Sequence, residues 1–160
     1  MNQGIHIIDS FQWIAGEVAS IFGYIGNLSH PYVETEDVAV ASVRFKAGGM
    51  GIIESTICCY PDLADRIELH GERGSIIAGG YPMMLRLKES MGEKRIEGEA
   101  VEKEQPVMYA GMHHGLILDL IQAITEDREP RVNGREGLKS IKIITAIYES
   151  AKKGKEIVFE

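Results

Sequence analysis

A chain of 160 residues, 44% of them hydrophobic, with a net charge of -7 fits one compact domain. Its acidic residues are spread along the chain, so the phosphate-neutralising surface of a nucleic-acid binder is not expected. The opening segment is apolar, but His6, Asp9 and Gln12 interrupt it and no Lys or Arg precedes it, which fits neither a signal peptide nor a membrane span. A cytoplasmic protein with no nucleic-acid or membrane partner is the expectation.

Ile7, Phe11 and Ile14 lie one and two turns apart, and Gly16 stands where a left-handed C-cap would sit, so residues 5 to 15 are predicted as an amphipathic helix. Strand-like runs follow at residues 17 to 27, 37 to 46, 50 to 60, 65 to 70, 74 to 78 and 83 to 88, punctuated by AGG, YPD, GERG and GGYP. A weaker edge strand is expected within residues 94 to 103, where charge would protect it. From residue 112 the period changes. Leu116, Ile117, Leu120, Ile121 and Ile124 form the stripe of a second helix, which ends before the turn EDREPRVNG. A third helix is predicted over residues 136 to 152, stopped by Gly154, and EIVF closes the chain as a strand.

This order predicts an α+β fold: a large, mostly antiparallel sheet with helices packed on one face. In MGIIESTICCY neither parity is purely polar, because Ile52 and Tyr60 alternate with Glu54 and Thr56. The second face would therefore be left partly bare and is expected to be used for oligomerisation, as a homodimer or homotetramer. Cys58 and Cys59, neighbours in the 50 to 60 strand, should point to opposite faces and make neither a disulfide framework nor a zinc motif. No metal site is predicted.

FKAGGMGII and HGERGSII each join two strands, lack the GxGxxG spacing and read as turns. On a helix Asn2, His6, Asp9 and Trp13 form one stripe, distinct from the apolar one. An imidazole can give or take a proton near neutral pH, and a neighbour one turn away can fix its tautomer. The alternative is a histidine and a tryptophan packed against the sheet, with Asn2 as an N-cap; spacing alone leaves both open. His113 and His114 precede the second helix stripe, and His113 shares its face with Ile117 and Leu120. A structural or cleft-lining role suits them, since sequence neighbours on a helix point about 100° apart. A zinc site from His6, Asp9 and His113 has no support in the spacing.

MNQGIHIIDSFQWIAGEV resembles the opening of the C-terminal domain in the Gfo/Idh/MocA family of NAD(P)-dependent sugar and polyol dehydrogenases. The stretches VETEDVAVASVRFKAGGMGIIESTICCYPDLADRIELHGERGSI and EPRVNGREGLKSIKIITAIYESAKKGKEIVF resemble the same family, in the same order. The resemblance implies a two-domain parent enzyme. Its N-terminal Rossmann domain binds NAD or NADP and supplies a lysine from a Glu-Lys-Pro motif, while the C-terminal domain supplies an open sheet and a catalytic histidine. This sequence contains no Glu-Lys-Pro and no dinucleotide fingerprint. Residues 1–160 are thus expected to be a single C-terminal substrate and oligomerisation domain, cut near the domain boundary, with the Rossmann domain absent and no cofactor bound by this chain alone.

By the resemblance, His6 matches the histidine that handles the substrate hydroxyl proton. Asn2 falls where inositol and glucose dehydrogenase members have aspartate, which weakens an inositol dehydrogenase assignment while keeping a substrate-binding role. His113 falls where the family often has a histidine opening the long helix, and is carried as a cleft residue. The implied activity is oxidation of a secondary alcohol in a sugar, polyol or sugar derivative, with the isolated chain inactive. A stand-alone oligomerisation or small-ligand-binding module is the alternative; a metal-dependent hydrolase would require bound metal.

Overall fold

The computed structural model describes residues 4–61, 65–78, 83–87, 93–96 and 107–160. In chain order the elements are α1 (Gly4–Ala15), β1 (Val18–Gly26), β2 (Val38–Phe45), β3 (Met50–Thr56), β4 (Ile67–Gly71), β5 (Gly74–Ala78), β6 (Met83–Leu87), β7 (Glu93–Ile96), α2 (Val107–Thr125), α3 (Gly134–Lys153) and β8 (Ile157–Val158). All strand pairs among the described residues are antiparallel. They form two four-stranded ladders, ordered β3-β2-β1-β8 and β4-β5-β6-β7.

The expected α+β architecture is present, with local differences. β3 ends at Thr56 instead of running to residue 60. Ile57 still donates its N–H to the Asp37 carbonyl at 3.0 Å, but the Cys58 N–H turns to the Thr56 hydroxyl at 3.0 Å, a side-chain acceptor that competes with the ladder. Cys58 and Cys59 therefore lie beyond the strand, both exposed, and strand parity does not govern them. α2 begins at Val107, upstream of the expected start, while β7 covers Glu93–Ile96 at the opening of the expected weak strand and residues 97–103 lie outside the described residues.

One face of the first sheet carries the core. Ile21, Ala41, Val43, Phe45 and Ile53 pack against Ile8 of α1 and Ile143, Ala146 and Ile147 of α3. A register shift between Val18 and Ser20 breaks strict alternation in β1, so Val18, Ser20, Ile21 and Gly23 are all buried. Gly23 admits α3: a Cβ there would stand 3.0 Å from Ile147 Cγ2. The Ser150 hydroxyl accepts the Gly23 N–H at 2.9 Å and donates to the Lys155 carbonyl at 2.7 Å, tying helix, central strand and the path to β8 together.

The ends of α3 follow its sequence. Asn133 caps the N-terminus by accepting from the N–H groups of Arg135 and Glu136, and Gly154 ends the helix in the left-handed region with φ 63°. Glu136 in the first turn and Lys152 and Lys153 in the last complement the helix dipole. On α3 the Tyr148 hydroxyl donates to Glu36 Oε1 at 2.7 Å, a tie to the segment just before β2. Burial, reinforced by the Glu36 carboxylate, pushes the tyrosine up to about 12 from its ordinary 10.

These contacts set two expectations. I147A should destabilise the fold by about 2–5 kcal/mol, the range for truncating a fully buried aliphatic side chain, against roughly 1 kcal/mol for N133A at the cap, both read from urea unfolding. Because the folded-state pKa of Tyr148 lies above its unfolded value, its stabilising contribution is whole below pH 10 and is lost as pH rises toward about 12. Y148F should flatten that part of the stability–pH curve relative to the parent protein; an unchanged slope would show that the titration lies elsewhere.

Candidate active site

α1 is held by its inward side. Ile8 is buried in the core, Phe11 meets Phe45 edge-on with ring centroids 5.4 Å apart, and a Cβ at Gly51 would come within 3.0 Å of the Phe11 ring. Asp9 accepts a hydrogen bond from the Ser140 hydroxyl on α3. Gly16 closes the helix at φ 91° by donating its N–H to the Gln12 carbonyl at 2.9 Å, as its position predicts.

With those groups facing inward, His6 and Trp13 face solvent; the indole is 78% exposed. The His6 carbonyl accepts from the Ser10 hydroxyl at 3.1 Å, which leaves the imidazole's own nitrogens out of that bond. The packed reading of His6 and Trp13 is thus excluded, and an exposed imidazole sits on a helix held from one side. Asp9 belongs to the helix–helix contact and does not serve as a partner on the His6 stripe. Asn2 lies outside the described residues. His113 is exposed on α2. His6, Asp9 and His113 do not form a metal-ligand set among the described residues.

The glycine turns offer no seat for a dinucleotide. Gly48, at φ 98°, and Gly49 join β2 to β3, and Gly74, at φ 156°, opens β5 after β4. Neither turn leads into a helix, so neither aims a helix N-terminus at a pyrophosphate. Among the described residues, neither glycine turn fits the cofactor's phosphates.

A second polar constellation escaped the sequence reading. Asp37 is buried and accepts from the N–H groups of Leu28 at 2.8 Å, Ser29 at 2.6 Å and His30 at 2.9 Å, and lies 3.2 Å from His30 Nδ1. Burial alone would raise its pKa, but these donors outweigh it and hold the carboxyl far below the usual range. Cys58 Sγ lies 3.9 Å from the same ring nitrogen. Residues 30, 37 and 58 meet only through the β1–β2–β3 register, so no local spacing could announce them.

The description of an oxidoreductase family's C-terminal α/β domain, that of Gfo/Idh/MocA, matches residues 1–159. The whole chain is 32% identical to part of the WlbA dehydrogenase of Bordetella pertussis, solved in complex with NADH and UDP-GlcNAcA; it covers 47% of that protein with a TM-score of 0.78. The uncharacterized oxidoreductase YrbE of Bacillus subtilis is 25% identical over the full chain, which covers 48% of it. Levoglucosan dehydrogenase, solved with NADH, shares the fold at a TM-score of 0.80 and 19% identity, with 98% of this chain and 49% of that one covered. The chain spans about half the length of the relatives it matches. Over residues 1–159, and with the fold to match, the chain belongs to the Gfo/Idh/MocA oxidoreductase family through its C-terminal α/β domain.

Proposed function

We propose that this chain is the substrate-side domain of an NAD(P)-dependent dehydrogenase acting on a secondary alcohol of a sugar or sugar derivative. The exposed imidazole of His6, on a helix anchored from beneath by Ile8, Phe11 and Asp9, is the observation that carries the reading. The nicotinamide, held by a Rossmann domain outside residues 1–160, supplies the hydride chemistry when bound. His6 accepts the hydroxyl proton in the oxidative direction and returns it in the reductive one. Asn2 hydrogen-bonds a substrate hydroxyl through its amide, and His113 lines the cleft. The WlbA relative with UDP-GlcNAcA supports a hexose derivative, nucleotide-linked sugars included, as the substrate class.

The uncovered face of the first sheet is the proposed homo-oligomer contact. Tyr24 stands opposite Val40, Phe22 opposite Ser42, and Ile52 opposite Ser42 on the other side, with Phe22 and Tyr24 edge to face at 5.1 Å. Tyr24, Val40, Met50 and Ile52 are all exposed there. An apolar patch with a polar rim of Arg44 and Glu54 suits a self-complementary interface.

In the complete enzyme, H6A should lower kcat by roughly 10²–10⁴-fold with little change in the KM for the cofactor, measured by NAD(P)H absorbance across a panel of sugars and nucleotide sugars. Reduction of NAD(P) by the isolated 160-residue chain would overturn the division of labour. Ile52→Glu should dissociate the oligomer to a smaller species in analytical ultracentrifugation while leaving the circular dichroism spectrum unchanged; an unaltered sedimentation coefficient would place the contact elsewhere.

A further inference from the structure

At one end of the first sheet, well apart in sequence from the His6 stripe, the loop between β1 and β2 folds back on the segment that leaves β3. Its centre is Asp37. This buried carboxylate meets four polar partners: Oδ1 takes the Leu28 N–H, and Oδ2 is shared by the N–H groups of Ser29 and His30 and by His30 Nδ1. Cys58 reaches the same place from the other segment, its thiol 3.7 Å from the Asp37 carbonyl and 3.9 Å from His30 Nδ1. The three potential ligand atoms, Asp37 Oδ2, His30 Nδ1 and Cys58 Sγ, lie within 4.8 Å of one another.

We infer that His30, Asp37 and Cys58 form a binding site for a zinc-class divalent cation, with the fourth position open to water. A tetrahedral ion with Zn–N, Zn–O and Zn–S bonds of about 2.0, 2.1 and 2.3 Å holds nitrogen about 3.4 Å from oxygen and about 3.5 Å from sulfur. The corresponding separations here are 3.2 Å and 3.9 Å, so each needs to change by only a few tenths of an ångström. The donor set, one imidazole, one carboxylate and one thiol, suits zinc better than magnesium or calcium, which prefer oxygen alone.

The ion takes the place of the ring proton between Nδ1 and Oδ2, the imidazole keeps its proton on Nε2, and the three backbone donors to Asp37 remain. Cys58 gives up its thiol proton, so two anionic ligands and one neutral one face a dication. Cys58 is exposed and His30 half-buried, which leaves an entry path and a solvent-facing coordination position. Bound there, the ion clips the β1–β2 loop to the segment following β3, adding side-chain links to the Ile57–Asp37 backbone bond.

The test uses metal-free, tag-free protein titrated with Co²⁺ and followed by absorbance, because thiolate ligation gives a charge-transfer band and tetrahedral geometry gives intense visible bands. One equivalent should saturate both, Zn²⁺ should bleach them, C58S should abolish the charge-transfer band, and C59S should leave it intact. H30Q should weaken Zn²⁺ binding by no less than the roughly tenfold that loss of an outer-shell partner produces. No charge-transfer band, a band that survives C58S, a band that depends on Cys59, or unchanged affinity in H30Q would each overturn the assignment. All three substitutions fall at positions with solvent access, and matching melting curves of the metal-free variants would show that a lost band reflects a lost ligand.

Discussion

The close approach of α3 to the middle of the first sheet is the constraint on which the rest of this domain depends. A helix can come that near only where the strand beneath it lacks a side chain, and β1 supplies Gly23 under Ile147. The same turn of helix brings Ser150 down to accept the Gly23 N–H and to donate to the Lys155 carbonyl. One small hydroxyl, wholly buried, thereby satisfies a strand donor and a carbonyl on the way to the last strand. Once α3 is seated, α1 has a wall to lean on, and the Asp9–Ser140 bond fixes its rotation. The exposure of His6 is the far end of that chain of contacts.

The role proposed for His6 asks for an imidazole that is reachable and also fixed to within a fraction of an ångström. α1 divides its circumference in a way that suits both demands. Ile8 and Phe11 are given to packing and Asp9 to a polar contact with α3, while the strip bearing His6 and Trp13 remains open. Gly51 opposite Phe11 repeats the device seen at Gly23: a missing side chain on a strand lets an element above it approach closely. Two glycines embedded in strands, residues that ordinarily weaken a sheet, are thus where the helical layer is keyed to it.

What the residues foretell depends on how local the cause is. The Gly16 and Gly154 stops, the alternation of residues 38–45 and the helical period of α3 all arise from neighbours a few positions apart, and the structure has them where the spacing puts them. The end of β3 at Thr56 was hidden because Ile57 to Tyr60 are good strand formers; a threonine hydroxyl capturing the next-but-one N–H outweighs that preference. The exposure of His6 was likewise undecidable from the stripe alone, since it depends on which side of α1 meets Phe45 and Ser140. The His30–Asp37–Cys58 group was out of reach entirely: two members lie on the loop between β1 and β2, at its middle and its end, and the third after the end of β3.

Among the described residues, the packed cluster under α1 and α3 draws on residues 8–53 and 143–159 and on nothing between them. The second ladder and α2 are, in effect, a long excursion from a framework that the two ends of the polypeptide complete together. A change of length or sequence within that excursion would leave the contacts of the packed cluster untouched, and with them the seat of α1 that holds His6 toward solvent.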